Sequence, residues 1–296
     1  MLKYFAADWI FPVNTTPIKN GTVVTNANGE IIRLLTEEES TDLDLKKYRG
    51  AIVPGFINTH CHLELSHMLK QIPEQTGLVE FVKHVIKSRQ SSDEQIKTSI
   101  EIADKQMFDN GIVAVGDISN QIISKETKLK SKIHYHTFVE AMGFNPDRAK
   151  VIMAHAEEVK QKFLPLPASV VPHAPYSVSA ELFTLIREAA IQANHFISIH
   201  NQETTHENAF FQYKTGDFLE LYKFLGLDIA FFEATGKTSL QSYLPNLAEL
   251  KTLMVHNTVT NKKDIDFAKE TNPNLYWCLC PNANLYIENT LPDVDL

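Results

Sequence analysis

The spacing of apolar and polar positions divides this chain into a short front part and a long repeating part. Over residues 3–35, β-like apolar runs at 4–7, 10–13, 21–25 and 31–35 are cut by turn signals at Pro17, Asn20-Gly21 and Asn28-Gly29. That pattern predicts a small antiparallel β unit. An acidic, polar link over 37–47 follows and reads as solvated chain. Beyond it, short apolar runs alternate with helical periods. Strands are expected in the stretch that opens at Gly50 and at 112–118, 133–140, 168–174, 195–200, 253–256 and 275–279. Helices are expected at 78–89, 93–109, 147–163, 179–193, 204–225 and 262–270, with a short helical piece between the second and third strands. Seven strands in regular βα alternation imply a parallel sheet, either open and doubly wound or closed as a barrel.

The stretch Gly50 to His67, GAIVPGFINTHCHLELSH, carries the chemistry. Side chains alternate faces on extended chain, so His60 and His62 project to one side, as a metal chelate requires. Glu64 has the same parity and joins them if the segment stays extended. Further histidines fall at the C-terminal ends of later strands: His173, His200 and His256. A closed barrel brings such ends to one mouth, whereas an open sheet spreads them along a line, so the barrel is favoured. The remaining histidines, His84, His134, His136, His155, His195 and His206, are read as structural or solvated, and His67 as near the site. Cys278 and Cys280 share a strand face and read as barrel filling.

Composition narrows the function classes. The chain has 296 residues, 44% hydrophobic and 22% charged, which suits a folded globular protein. No apolar run approaches ~20 residues, so no membrane partner is expected. The N-terminus lacks the apolar core and cleavage site of a signal peptide, and a cytoplasmic location is expected. Three cysteines argue against a disulfide framework. A net charge of −8 with no Lys/Arg cluster disfavours nucleic acid. The partner expected is a small heterocyclic molecule; a homodimer is the assembly to test for.

The ordered segments PGFINTHCHLELSH, VPHAPYSVS, IHNQE, VHNT and CPNANLY resemble the motifs of the amidohydrolase superfamily, in its mononuclear aminohydrolase branch. That branch contains cytosine, guanine and adenosine-type deaminases and triazine chlorohydrolases. With VGDISN at 115–120, the set is most similar to aminodeoxyfutalosine deaminase-like enzymes. The resemblance implies an α/β fold: a TIM-type (β/α)8 barrel over 50–296 and part of a small β-sandwich over 1–49. It implies His60, His62 and His200 as metal ligands, Glu203 as proton shuttle, and His256 as the histidine that orients the attacking water. His173 and Glu64 would contact the substrate. Three neutral imidazoles suit one Zn²⁺, or Fe²⁺, with a position left open. The implied reaction is hydrolytic release of ammonia from an adenine-type heterocycle. The alternatives are a deaminase of another heterocycle, a chlorohydrolase, or a barrel that binds without turnover. The family's eighth strand and its aspartate have no counterpart here; Asp293 and Asp295 come too early, and the chain is expected to be a truncated or incompletely represented product. Relatives often read HLAE where this chain has His200-Asn201-Gln202-Glu203, so a changed pocket is expected there. His62-Leu63-Glu64 also matches half of the other zinc deaminase signature, but Cys278-Leu279-Cys280 has the wrong spacing for the Pro-Cys-x-x-Cys half.

Overall fold

The computed structural model describes residues 1–296, which divide into two compact units, Met1–Phe56 and Ile57–Leu296. In the first, β1 (Lys3–Ile10), β2 (Ile18–Lys19), β3 (Thr22–Thr25), β4 (Ile31–Leu35) and β5 (Lys46–Ile52) form one five-stranded sheet. β2 and β3 run antiparallel to β1 in one register, from Ile10↔Ile18 to Lys3↔Thr25. The turn expected at Asn20-Gly21 is therefore an irregularity between two segments that pair with the same strand. Asn20 takes φ 51°, and a Cβ on Gly21 would stand 2.8 Å from Ile10 Cγ1, so the chain passes only with glycine there. The turn expected at Asn28-Gly29 does form, between β3 and β4. Residues 11–13 leave the sheet instead of extending it, and Val13 has φ 73°.

The polar pattern gives no sign of β5. It pairs parallel to β1, from Phe5↔Lys46 to Ile10↔Ile52, which makes the unit mixed and not antiparallel. Its residues are exposed up to Ile52, so the backbone ladder holds it without any alternation of apolar side chains.

β6 (Phe56–Cys61) leads into the second unit, followed by β7 (Ile112–Ser119), β8 (His134–Ala141), β9 (Ala168–Pro172), β10 (Ile197–Asn201), β11 (Thr252–His256) and β12 (Leu275–Cys278). The hydrogen-bonded order is β6-β7-β8-β9 and β10-β11-β12, in sequence order throughout. The pairs β7–β8, β8–β9, β10–β11 and β11–β12 are parallel. At the junction, His200 N–H donates to His173 O at 3.0 Å. The run curves back toward itself: Thr59 Oγ1 on β6 lies 3.1 Å from Cys278 Sγ on β12. An eighth strand is not among the residues of this chain. Gly116 on β7 shows how tight the strands are, since a Cβ there would stand 2.6 Å from Thr59 O.

The helices are α1 (Leu78–Ser88), α2 (Asp93–Asp109), α3 (Lys125–Lys130), α4 (Ala149–Lys162), α5 (Ala180–Ala193), α6 (Thr205–Tyr213), α7 (Phe218–Phe224), α8 (Ser239–Tyr243), α9 (Lys262–Thr271) and α10 (Pro281–Ile287). Ser92 and Ser179 cap α2 and α5 by accepting from Gln95 N and Leu182 N. The single helix expected over 204–225 is broken into α6 and α7, because Lys214 (φ 52°) and Gly216 (φ 94°) turn left-handed between them. α4, α5 and α9 cover the outer strand faces around Phe163, Leu182, Ile186 and Met254. A second, aromatic cluster includes Phe144, Tyr176, Phe210, Phe218 and Tyr222, and α1, α6, α7 and α10 meet there.

α10 is too short for the apolar pattern to predict it. It opens with Pro281 in its first turn, where the missing N–H costs nothing. Its end is joined to the loop before α1: Gln75 N–H donates to Tyr286 O (2.6 Å), Gly77 N–H to Ile287 O (3.0 Å) and Leu78 N–H to Glu288 Oε1 (2.7 Å). No helix is long and apolar enough to cross a membrane.

Candidate active site

Alternation along β6 turns His60 and His62 to the same side at the strand's C-terminal end. The strand stops at Cys61, and Leu63–Met68 coil into a 3₁₀ segment, so Glu64 does not continue the row. β10 supplies His200 from the opposite part of the ring. The three Nε2 atoms converge: His60 to His62 is 3.1 Å and His62 to His200 is 3.3 Å. A tetrahedral centre with metal–nitrogen bonds of about 2.0–2.1 Å has ligand atoms about 3.3 Å apart, so these spacings fit Zn²⁺. The His200 tautomer fits as well. Its Nδ1–H donates to His173 O at 2.7 Å, which leaves Nε2 with a free lone pair. Burial, together with the neighbouring imidazoles, holds His60 and His62 well below the ordinary histidine range, and lowers His200 to about 4. All three are thus neutral at pH 7, as metal ligands must be.

Beside this cluster stand Glu203 and His256, with His256 Nε2 3.6 Å from Glu203 Oε1. Both side chains are buried. Burial raises Glu203 to about 7, against a small opposing pull from His200, and lowers His256 to about 4. His256 Nδ1 lies 3.0 Å from Asn284 Oδ1, an amide oxygen that can only accept, so the proton is on Nδ1 and Nε2 faces Glu203 as an acceptor. His256 (φ 75°) and Asn257 (φ 58°) are both left-handed, a strain of roughly 1–2 kcal/mol per residue. The Asn257 amide holds the bend by donating to Met254 O and Cys278 O.

His173 also reaches the cluster, its ring centroid 4.8 Å from that of His200, and its Nδ1 is 2.7 Å from Ser177 Oγ. Glu64 is engaged with protein: Oε2 accepts from Asn120 N (3.1 Å) and Gln121 N (3.3 Å), and Arg89 Nη2 is 3.7 Å from Oε1. His67 sits behind it, with Nε2 3.1 Å from Arg89 O. Asp293 and Asp295 lie beyond α10 at the exposed end of the chain and belong to no convergent ligand group. The change expected in the pocket from Asn201 and Gln202 takes another form. Asn201 bonds Asn257 and Tyr243, while Gln202 bonds Asn208, Thr260 and Asp264, so both tie strand ends to the helices.

Four polar residues of the site are not singled out by the sequence. Asn284 orients His256. Glu207, fully buried, accepts from Gln202 N at 3.0 Å and Glu203 N at 3.3 Å and so fixes the turn that presents Glu203. Glu140 brings Oε1 to 3.4 Å from His200 Nδ1, and Asp117 accepts from Leu63 N at 2.7 Å. Asn284 and Asp117 lie within the segments CPNANLY and VGDISN, which identify motifs without saying which atom bonds which.

The amidohydrolase family model matches residues 51–295. The chain belongs to the amidohydrolase family. Among curated relatives, an adenosine deaminase of Helicobacter pylori is 24% identical over 249 residues, 83% of this chain and 60% of that protein. An aminodeoxyfutalosine deaminase of Nitratiruptor sp. is 26% identical over 267 residues, 85% of this chain and 64% of that protein. The chain therefore spans less than two thirds of the length of these relatives. A crystal structure of Helicobacter pylori aminofutalosine deaminase in complex with methylthio-coformycin aligns with TM-score 0.84 at 21% identity, covering 99% of this chain and 73% of that one. That likeness establishes the amidohydrolase fold, a TIM-type barrel of which this chain contains seven strands.

Proposed function

We propose that this chain forms the catalytic barrel of a hydrolytic deaminase that releases ammonia from an adenine-type heterocycle, with aminodeoxyfutalosine and adenosine nucleosides as the first substrates to test. The observation that carries the reading is the convergence of three Nε2 atoms beside a buried Glu203–His256 pair. The names of the relatives point to the same reaction class. His60, His62 and His200 would hold one Zn²⁺, with Fe²⁺ as the second choice. When bound, such an ion lowers the pKa of a coordinated water to about 7 and polarises the group under attack.

The protein's own groups would do the rest. Glu203, held near 7, can take one proton from the attacking water and deliver it to a ring nitrogen, then take the second from the newly added hydroxyl and deliver it to the amine, which leaves as ammonia as its C–N bond breaks. His256 offers Nε2 as an acceptor that orients the attacking water, because Asn284 fixes its other nitrogen as the donor. His173 would hold the heterocycle. Glu64, anchored by the 120–121 amides, would shape the wall on that side and contact the substrate there.

The deciding experiment is ammonia release by the zinc-loaded protein across aminodeoxyfutalosine, adenosine, 5′-methylthioadenosine, guanine, cytosine and a chlorotriazine. Turnover of the adenine compounds is expected. Chloride release alone, or turnover confined to guanine or cytosine, would overturn the reading. A second reading is a barrel that binds metal and ligand without turnover; it is favoured by the absence of an aspartate from both convergent ligand groups, His60, His62 and His200 and Glu140, His173 and His200. Zinc binding without ammonia from any compound would select it.

A further inference from the structure

Lys128 and Asp117 form an ion pair at 2.6 Å with both side chains completely buried. Lys128 reaches inward from α3, and its Nζ also lies 2.9 Å from Thr137 Oγ1 and 3.3 Å from Ser119 Oγ. The rings of Phe163 and Tyr135 stand 4.8 and 5.6 Å from it. On the other side, Asp117 Oδ2 accepts from Ser119 Oγ, and Oδ1 accepts from the backbone N–H of Leu63 at 2.7 Å. Taking both charges out of water costs more than their attraction generally returns, and an apolar pair of similar volume is often as stable. Stability alone is thus a poor account of this pair. The contact that reaches beyond its own surroundings is the one to Leu63, the residue between His62 and Glu64.

The placement is specific. β6 has ended at Cys61 and the 3₁₀ segment begins at Leu63, so the backbone at His62 is not held by a sheet ladder. His62 has φ −116° and ψ 71°, outside both helix and strand. The Asp117 carboxylate is the acceptor that fixes the next peptide, and Lys128 balances its buried charge. We propose that Asp117 is a positioning residue for the metal site: it acts through the Leu63 peptide to set the direction of His62 Nε2. The inference rests on the reading of His60, His62 and His200 as a metal set. It adds a remote control on ligand geometry, running from the neighbouring strand β7.

The test uses two paired substitutions in the full chain, both free of buried charge. D117N/K128M keeps an oxygen that can accept from Leu63 N–H, whereas D117L/K128M has a similar shape and no acceptor. Zinc affinity is measured by competition with a chromogenic chelator, alongside the melting temperature of the metal-free protein. The leucine pair should bind zinc about 10–100-fold more weakly than the parent, the range seen when outer-shell partners of a metal ligand are removed. The asparagine pair should stay within about threefold of the parent, since its loss is well under that range. Equal affinity in the two pairs would overturn the proposal, because only the acceptor distinguishes them. So would a melting difference without an affinity difference, which is what a merely structural role predicts.

Hydrogen exchange over residues 60–68 in metal-free protein gives an independent readout. It should speed up in the leucine pair and not in the asparagine pair; equal exchange would again count against the inference. Should the leucine pair fail to fold, D117A/K128M replaces it in both measurements. A parent protein that binds no zinc would refute the metal reading itself, and the exchange comparison would still decide whether Asp117 positions the His62 segment.

Discussion

Replacing Glu203 with glutamine should remove activity and, at the same time, make the metal-free protein more stable above neutral pH. Glu203 is buried in a place that holds its carboxyl near 7, where an ordinary glutamate titrates at 4.5. That difference of about 2.5 pH units, at about 1.4 kcal/mol each, corresponds to about 3 kcal/mol. Between pH 4.5 and 7 the unfolded chain has released this proton while the folded chain retains it. Stability therefore falls as pH rises through that window, and the whole loss is present above pH 7. Glutamine has no proton to lose and nearly the same shape. Urea denaturation of the two metal-free proteins should give similar stabilities at about pH 4.5 and a gap of about 3 kcal/mol in favour of glutamine at about pH 8. Groups remote from Glu203 are common to both chains and cancel in the comparison, while His200 and Glu207, both raised by the Glu203 charge, add a smaller pH-dependent part. Zinc should narrow the gap, because a nearby divalent cation favours the ionised carboxylate. Turnover should fall by about 10²–10⁴, the ordinary contribution of a general acid/base. A gap that does not change with pH, or a glutamine variant that is the less stable in mild alkali, would refute the assignment of Glu203 as a buried group destabilised by its own charge.

Other outcomes test different parts of the site. Asn284→Ala removes the acceptor of the His256 Nδ1 proton, and kcat should drop by about 5- to 150-fold, equivalent to about 1–3 kcal/mol; an unchanged kcat would mean that His256 needs no such support. His200→Ala should leave a two-ligand site, and isothermal titration should then detect no tight zinc binding, with the fold retained by circular dichroism. Chelator treatment of the zinc-loaded protein should lower its melting temperature, and zinc at about 100 times its dissociation constant should restore about 2.7 kcal/mol. Leu182→Ala, in the fully buried layer between α5 and the strands, should cost about 2–5 kcal/mol in urea denaturation while leaving zinc affinity unchanged.

How much of this was legible in the sequence depended on what carried the signal. The strands of the second unit are short apolar runs, mostly buried in β8 to β11, so β7 to β12 announced themselves to within a few residues, and α2 was bounded correctly at 93–109, where Asn110-Gly111 stops it. β5 was hidden because an exposed polar strand held by its ladder leaves no apolar period. Asn20-Gly21 misled because the same dipeptide that makes a turn also suits a kink between segments of one edge. In the site, His60, His62, His173, His200, His256 and Glu203 were recognisable by motif order, and the fold brings them together. The positioning groups were harder to see. Glu207 acts through hydrogen bonds to peptides 4 and 5 residues away in sequence, Asp117 and Asn284 through bonds to groups 54 and 28 residues away, and nothing in local spacing encodes such partners.

The three hydrogen bonds that join residues 75–78 to 286–288 have a consequence for how the protein is made. The segment that follows His60 and His62 leaves the ribosome long before its partner around Glu288 has been synthesised. At about 5–20 residues per second, the interval is roughly 10–40 s. For that time the early arm of the metal cluster lacks these hydrogen bonds, and Phe210, Phe218 and Tyr222, made late in the same interval, lack part of their cover until α10 follows. A nascent chain of this design would gain from chaperone binding near α1, and a stall between residues 257 and 280 would yield a polypeptide that contains every imidazole of the cluster yet lacks α10 and its hydrogen bonds to residues 75–78.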